Sequence, residues 1–178
     1  MVTPSPEPNP PHRARSRLTA SSAGEAGDET YWDARQTALG IDTHGEILEP
    51  DEIVFCERMG RLHPDIGLSD VLEWISRDDV TFKPTSDFVW LPKNSPICEL
   101  KTQKAKYSTI ADEIKDTVVR STAHGLPKKN FVIDIGNKTL TQKLFNQLAK
   151  YNQRNPTKRI ERLFVMHSGG AMTEVCLI

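Results

Sequence analysis

The chain has 178 residues, 37% of them hydrophobic and 26% charged. That composition sets aside collagen-like and coiled-coil architectures and leaves one domain with ample length for a buried core. No stretch approaches the roughly 20 apolar residues that a membrane helix needs. The formal net charge is −1, from 23 Lys+Arg against 24 Asp+Glu, a balance that on average argues against a polyanion as partner. The average conceals a split. Residues 1–30 sum to −1, residues 31–98 carry 6 basic and 13 acidic side chains, and residues 99–178 carry 14 basic and 7 acidic. Such asymmetry hints at nucleic-acid contact on the basic part, with lysine-rich solvated helix faces as the competing explanation.

In chain order, residues 1–30 read as a disordered leader. Five prolines fall in the first eleven residues, followed by Ser, Ala and Gly, and such a segment buries too little apolar surface to offset chain entropy. It has no apolar core of the kind a secretory signal carries. Arg13, Arg15 and Arg17 are available to touch nucleic acid, although a linker accounts for the segment alone. Residues 31–178 read as a single domain, helical over 31–80 and a hairpin with an α/β core over 81–178. A short helix or turn is expected at 31–38. A clearer helix spans 51–62, with Pro50 at a first helical position, Asp51 and Glu52 at the positive end of the dipole, and Val54, Phe55, Met59 and Leu62 at helical spacing. Ser69 is placed to cap a third helix through Ser76 that buries Leu72 and Ile75.

The period then changes. Residues 87–91 and 97–101 are short and β-rich around the turn material Pro92-Lys93-Asn94-Ser95, which predicts a β-hairpin with Cys98 and Leu100 toward the core. A helix is expected over 109–122, opened by Thr109 with Asp112 as a capping box and carrying Ile110, Ile114 and Val118 as its apolar stripe. Phe131-Val132-Ile133-Asp134-Ile135 is a continuous apolar run, typical of a strand covered on both faces. Thr139 with Gln142 opens another helix to about Asn152, and residues 163–166 and 173–177 end the chain as strands around Gly169-Gly170. This order implies an α/β fold with a mixed central sheet flanked by helices. Cys56, Cys98 and Cys176 show no metal-binding or disulfide spacing, and Cys98 and Cys176 read as small buried hydrophobes.

Chemistry concentrates on the hairpin. Side chains two apart on a strand share a face, so Glu99 and Lys101 project together, and pairing with the preceding strand brings Asp87 alongside. Two carboxylates suffice to hold Mg²⁺ while leaving places for water and a phosphate oxygen, and a neighbouring ammonium positions water and stabilises developing charge. An ordinary salt bridge explains Glu-x-Lys equally well in isolation. Glu113 and Lys115 repeat the pattern, but on a predicted helix, where residues two apart diverge.

These residues resemble a known superfamily. Pro84-Thr85-Ser86-Asp87-Phe88, followed by Ile97-Cys98-Glu99-Leu100-Lys101-Thr102-Gln103, is similar to the PD-(D/E)XK nuclease signature, with Ser86 where a proline is usual and Gln103 matching the E-x-K-x-Q variant. The order that continues through Lys106-Tyr107-Ser108-Thr109-Ile110, helix, Phe131–Ile135, helix, Lys158–Leu163 and a terminal hairpin resembles the C-terminal tRNase domains of contact-dependent growth inhibition toxins, over residues 84–178. The resemblance implies a PD-(D/E)XK, restriction-endonuclease-like core and hydrolysis of phosphodiesters with Mg²⁺ or Mn²⁺. It implies Asp87 and Glu99 as metal ligands, Lys101 as the water-orienting or general-base lysine, and Gln103 as a group that fixes substrate or Lys101. Many members add a glutamate from the preceding helix, for which Glu57 and Glu52 are the candidates; a solvated helix face explains both as well. The implied substrate is RNA, foremost tRNA, with DNA cleavage by the same fold or non-catalytic binding of nucleic acid or a partner as alternatives. The implied setting is a toxin domain delivered as part of a secreted effector, acting in the cytoplasm and neutralised by an acidic immunity protein.

The remaining candidates are read from the residues. Lys104, Lys106, Lys128, Lys129, Lys158, Arg159 and Arg162 surround the predicted sheet ends and are expected to meet phosphates. Tyr107 and Tyr151 are available to stack on exposed bases. His124 and His167 are candidates for phosphate contact or proton transfer, with plain loop histidines as the simpler account. Asp134 lies in an apolar strand and needs a partner if buried, either a lysine or a place beside the site.

Overall fold

The computed structural model describes residues 29–75, 86–94 and 96–178. Residues 1–28 of the expected leader, the end of the third helix at Ser76 and the Pro84-Thr85 half of the nuclease signature lie outside the described residues, whereas Glu29 and Thr30, expected in the leader, begin the first helix.

Six strands form one sheet in the order of the chain: β1 (Leu72–Trp74), β2 (Phe88–Trp90), β3 (Ile97–Thr102), β4 (Asn130–Asp134), β5 (Arg162–His167) and β6 (Ala171–Glu174). The first three pair antiparallel, β3, β4 and β5 run parallel, and β6 returns antiparallel to β5. The sheet is therefore mixed. Its parallel part needs crossover connections, and helices supply them. The helix α3 (Tyr107–Ala123) joins β3 to β4, and α4 (Gln142–Ala149) with α5 (Tyr151–Arg154) joins β4 to β5. Two helices, α1 (Glu29–Ala38) and α2 (Pro50–Leu62), precede the sheet.

Strand alternation divides the interior into two cores. Cys98, Leu100, Val132, Phe164 and Met166 face one side and pack with Ile53, Phe55 and Met59 of α2 and with Trp74, Phe88 and Trp90. Phe131, Ile133, Leu163 and Val165 face the other and pack with Ile110, Ile114 and Val118 of α3 and with Leu144 and Leu148 of α4. Residues 131–135 are buried throughout because β4 is central and covered on both faces.

The sequence reading needs correction at several points. Among the described residues the expected third helix is absent: Leu68–Asp70 make one 3₁₀ turn and Leu72–Trp74 are a strand, with Leu72 buried against the α2 side and Ile75 half-buried. Three residues at strand period, ending in a tryptophan that packs on Phe88, outweigh the capping signal of Ser69. The helix α3 starts two residues before Thr109, with Lys106 at its N-cap and no side-chain cap. Thr141, not Thr139, caps α4, its hydroxyl accepting the Leu144 N–H at 3.2 Å. Cys176 is exposed, because regular pairing of β6 stops at Glu174. Cys56 and Cys98 are buried.

Candidate active site on the central hairpin

The hairpin and the loop after α3 assemble four charged side chains. Asp87 directly precedes β2, and its backbone N–H donates to the Cys98 carbonyl at 3.1 Å. Its side chain turns to β3, where Oδ2 accepts the Leu100 N–H at 2.7 Å. Glu99 is third in β3, paired with Phe131 of β4, and its side chain is buried on the α3 side of the sheet, opposite to Cys98 and Leu100. Lys101 follows on the same face, and its Nζ lies 2.7 Å from Glu99 Oε1. Lys128 enters from the loop between α3 and β4 and donates to Glu99 Oε2. Asp87, Glu99 and Lys101 are thus brought together as expected, and Lys128 joins them as the fourth member.

Local chemistry explains how Lys128 reaches the site. Gly125 ends α3 at φ +74°, a left-handed conformation that glycine adopts without the steric cost of a Cβ. The Gly125 N–H and Leu126 N–H close on the carbonyls of Thr122 and Ser121 at 2.9 and 3.0 Å. The buried Ser121 hydroxyl then accepts the Lys128 N–H at 3.1 Å and donates to the Val118 carbonyl at 3.2 Å. The lysine is held at its backbone by α3 and at its ammonium by β3, with 9% of its side chain exposed.

Burial makes the electrostatics sharp. Two carboxylates and two ammonium groups sum to zero, the condition under which a desolvated cluster is tolerable. Burial pushes the Asp87 carboxyl up to about 6, and the charge of Glu99 pushes the same way; the Leu100 N–H and the two lysines oppose them. Lys101, with 22% of its side chain exposed, is the more open of the two ammonium groups.

The helix before the hairpin packs on the other face of the sheet from Glu99 and adds no third carboxylate. Glu57 faces α1, where its carboxylate takes Arg35 Nε at 2.7 Å and also Arg35 Nη2. Glu52 accepts the Glu49 N–H at 2.7 Å in a capping box at the start of α2. The proposed ligand role of Glu57, with Glu52 as its substitute, is therefore not reproduced: both are occupied at their own helix. Arg58, the next residue of α2, reaches Asp134 instead, its Nη1 donating to Oδ1 and Oδ2 at 2.8 and 2.7 Å. Asp134 thus has the partner its burial demands, an arginine rather than a lysine, and also accepts the Gly136 N–H at 2.7 Å. Among the described residues no group of three or more His, Cys, Asp or Glu gathers to hold a metal ion.

The other candidates separate into two groups. Gln103 continues the strand face of Glu99 and Lys101, and its N–H extends the ladder to the Asp134 carbonyl at 2.9 Å. Lys104 and Lys106 are exposed just beyond it. Lys106 also lines a cleft of about 400 Å³ with Tyr107, Ser108, Thr141, Lys143 and Gln147, where the first turns of α3 and α4 meet. Arg159 is exposed and Lys158 half-buried. Lys129 is paired with Glu161 at 2.7 Å, and Arg162 is held by Glu174 and the Lys93 carbonyl. Lys128 belongs to the charge cluster, its ammonium on Glu99 rather than on the open surface. Tyr151 is fully buried and unavailable for stacking, whereas Tyr107 is half-buried beneath the Arg154 guanidinium, 4.9 Å from its ring centroid. His124 is exposed at the end of α3, and the His167 ring lies between the Ser168 and Thr173 hydroxyls.

No family model matches the chain, and no curated protein or solved structure shows significant similarity to it.

Proposed function

We propose that the protein is a metal-dependent nuclease of PD-(D/E)XK type whose site is Asp87, Glu99 and Lys101. The observation that carries this reading is the convergence of those side chains on a hairpin that leads, through α3, into a parallel neighbouring strand.

The donor chemistry fits Mg²⁺ or Mn²⁺ at its minimum. Mg²⁺ sites commonly use one or two carboxylates and complete their shell with water and substrate phosphate. Asp87 and Glu99 would hold the ion. When bound, it would supply Lewis-acid stabilisation of charge on the phosphate and an acidified water. Lys101, the more exposed ammonium, is placed to orient the attacking water and to balance charge developing on the phosphate. Gln103, one strand period further, is placed to steady Lys101 or the substrate, and Lys104, Lys106 and Arg159 supply exposed positive charge for a phosphate backbone.

RNA, foremost tRNA, is the proposed substrate, with duplex DNA as the comparison. In a toxin setting the basic half is the surface that an acidic immunity protein would cover. Among the described residues no helix is long and apolar enough to cross a membrane. Incubation of the purified chain with tRNA and with duplex DNA, each with Mg²⁺, Mn²⁺ or EDTA, tests the activity and separates the substrates.

A second reading is a non-catalytic nucleic-acid or partner-binding domain. It is favoured by one observation: both oxygens of Glu99 are already taken by lysines. Salt-sensitive binding of RNA with no metal-dependent turnover would select it.

A further inference from the structure

Lys128 is unexplained by the motif. It lies 27 residues beyond Lys101, on a different element, and is the more deeply buried of the two lysines on Glu99, with 9% against 22% of the side chain exposed. Its placement is built rather than incidental. Ser121 is almost fully buried and its hydroxyl accepts the Lys128 N–H, and Gly125 turns the chain so that the loop runs back to the sheet.

We infer that Lys128 is a built-in counter-ion of Glu99, exchanged for a divalent cation when the site loads. The inference rests on the nuclease reading above. Two carboxylates this close repel one another, and in a buried setting positive charge beside them offsets that repulsion. Lys101 on Oε1 and Lys128 on Oε2 provide that charge. A divalent cation approaching Glu99 meets an ammonium on each oxygen, and its charge favours the departure of one lysine. Lys101 shares a strand face with Glu99 two positions away, so its side chain starts beside the carboxylate. Lys128 comes from a loop, and its ammonium can leave Oε2 while the Ser121 hydroxyl still holds its backbone. The released ammonium remains at the mouth of the site, where a phosphate oxygen is its natural next partner. Lys128 is a positioning residue: it holds the Glu99 carboxylate aimed before loading and yields one oxygen on loading.

Lysine acylation with an N-hydroxysuccinimide ester of acetate, read by mass spectrometry on the full chain across a Mn²⁺ titration, tests the exchange, with calorimetry recording Mn²⁺ binding in parallel. Saturating Mn²⁺ is expected to raise the acylation rate of Lys128 about five-fold or more, the lower end of coupling between competing ligands. Lys129, paired with Glu161 on the surface, should not respond. In Glu99→Gln the Lys128 rate should be high without any metal, which a lysine shielded by packing alone would not show. Lys128→Met should bind Mn²⁺ about five-fold or more tightly than wild type, for the same reason. Mn²⁺ bound with Lys128 still protected, or Lys128 slow in Glu99→Gln, overturns the exchange and leaves the metal site standing. Absence of Mn²⁺ binding in wild type and Lys128→Met alike overturns the nuclease reading and the exchange with it.

Discussion

The Arg58–Asp134 pair fastens α2 to the central strand β4, and removing its cation should be among the costliest single changes in the molecule. Asp134 is 2% exposed and accepts three hydrogen bonds, two from Arg58 Nη1 and one from Gly136. Arg58→Met keeps much of the side-chain volume but leaves a buried carboxylate with one backbone donor. Breaking a buried pair in this way costs about 3–5 kcal/mol, a large share of the roughly 5–15 kcal/mol that stabilises a domain. Asp134→Asn in the Arg58→Met background removes the orphaned charge and should recover about 1–3 kcal/mol of the loss. Urea unfolding at pH 7.5, followed by far-UV circular dichroism, gives both quantities through the midpoint. A loss below about 1 kcal/mol for Arg58→Met, or a double variant as unstable as the sum of the two single ones, would refute the reasoning.

Three further outcomes follow from the same structure. Asp87 has its carboxyl raised from 3.8 to about 6, so the folded state holds this proton more tightly than the unfolded chain and the group's contribution falls as pH rises between those values. Asp87→Asn retains an oxygen for the Leu100 N–H, and in EDTA it should gain on wild type between pH 4 and pH 7.5 by at most about 3 kcal/mol, less where solvent screens the half-buried carboxylate; a gap that closes as pH rises contradicts this. Thr141→Ala should lower stability by about 1 kcal/mol through loss of the α4 cap, while Thr139→Ala stays within about 0.5, and thermal unfolding of the two variants distinguishes them. Ser121→Ala should raise the acylation rate of Lys128 without metal, because the Lys128 N–H loses its acceptor; an unchanged rate shows that the loop is fixed without that bond.

Much of the architecture is legible in periodicity. The apolar run at 131–135 marks the central strand, and the alternation Cys98, Glu99, Leu100, Lys101 places the charged pair opposite the α2-side core. The errors occur where a local signal competes with tertiary packing. Ser69 is a good cap, yet Leu72 and Trp74 gain more as alternate residues of an edge strand against Trp90 and Phe88. Thr139 and Thr141 both precede a helix, and two residues decide which hydroxyl reaches an N–H. The site was legible where its residues share one hairpin and hidden where they do not. Nothing local distinguishes Lys128 from Lys129, but one reaches Glu99 and the other pairs with Glu161. Asp134 announced that it needed a partner; that the partner would be Arg58, 76 residues away, depends on how α2 lies across the sheet.

The central claim is that the hairpin carboxylates and Lys101 hydrolyse phosphodiesters with a divalent cation. Its most direct test is cleavage of tRNA by wild type and Glu99→Gln, with folding of the variant verified by circular dichroism. The account predicts that wild type cleaves with Mg²⁺ or Mn²⁺ and stops in EDTA, and that Glu99→Gln is slower by about a hundred-fold or more. Equal rates for the two proteins, or no cleavage of tRNA or DNA by wild type with either metal, would contradict it.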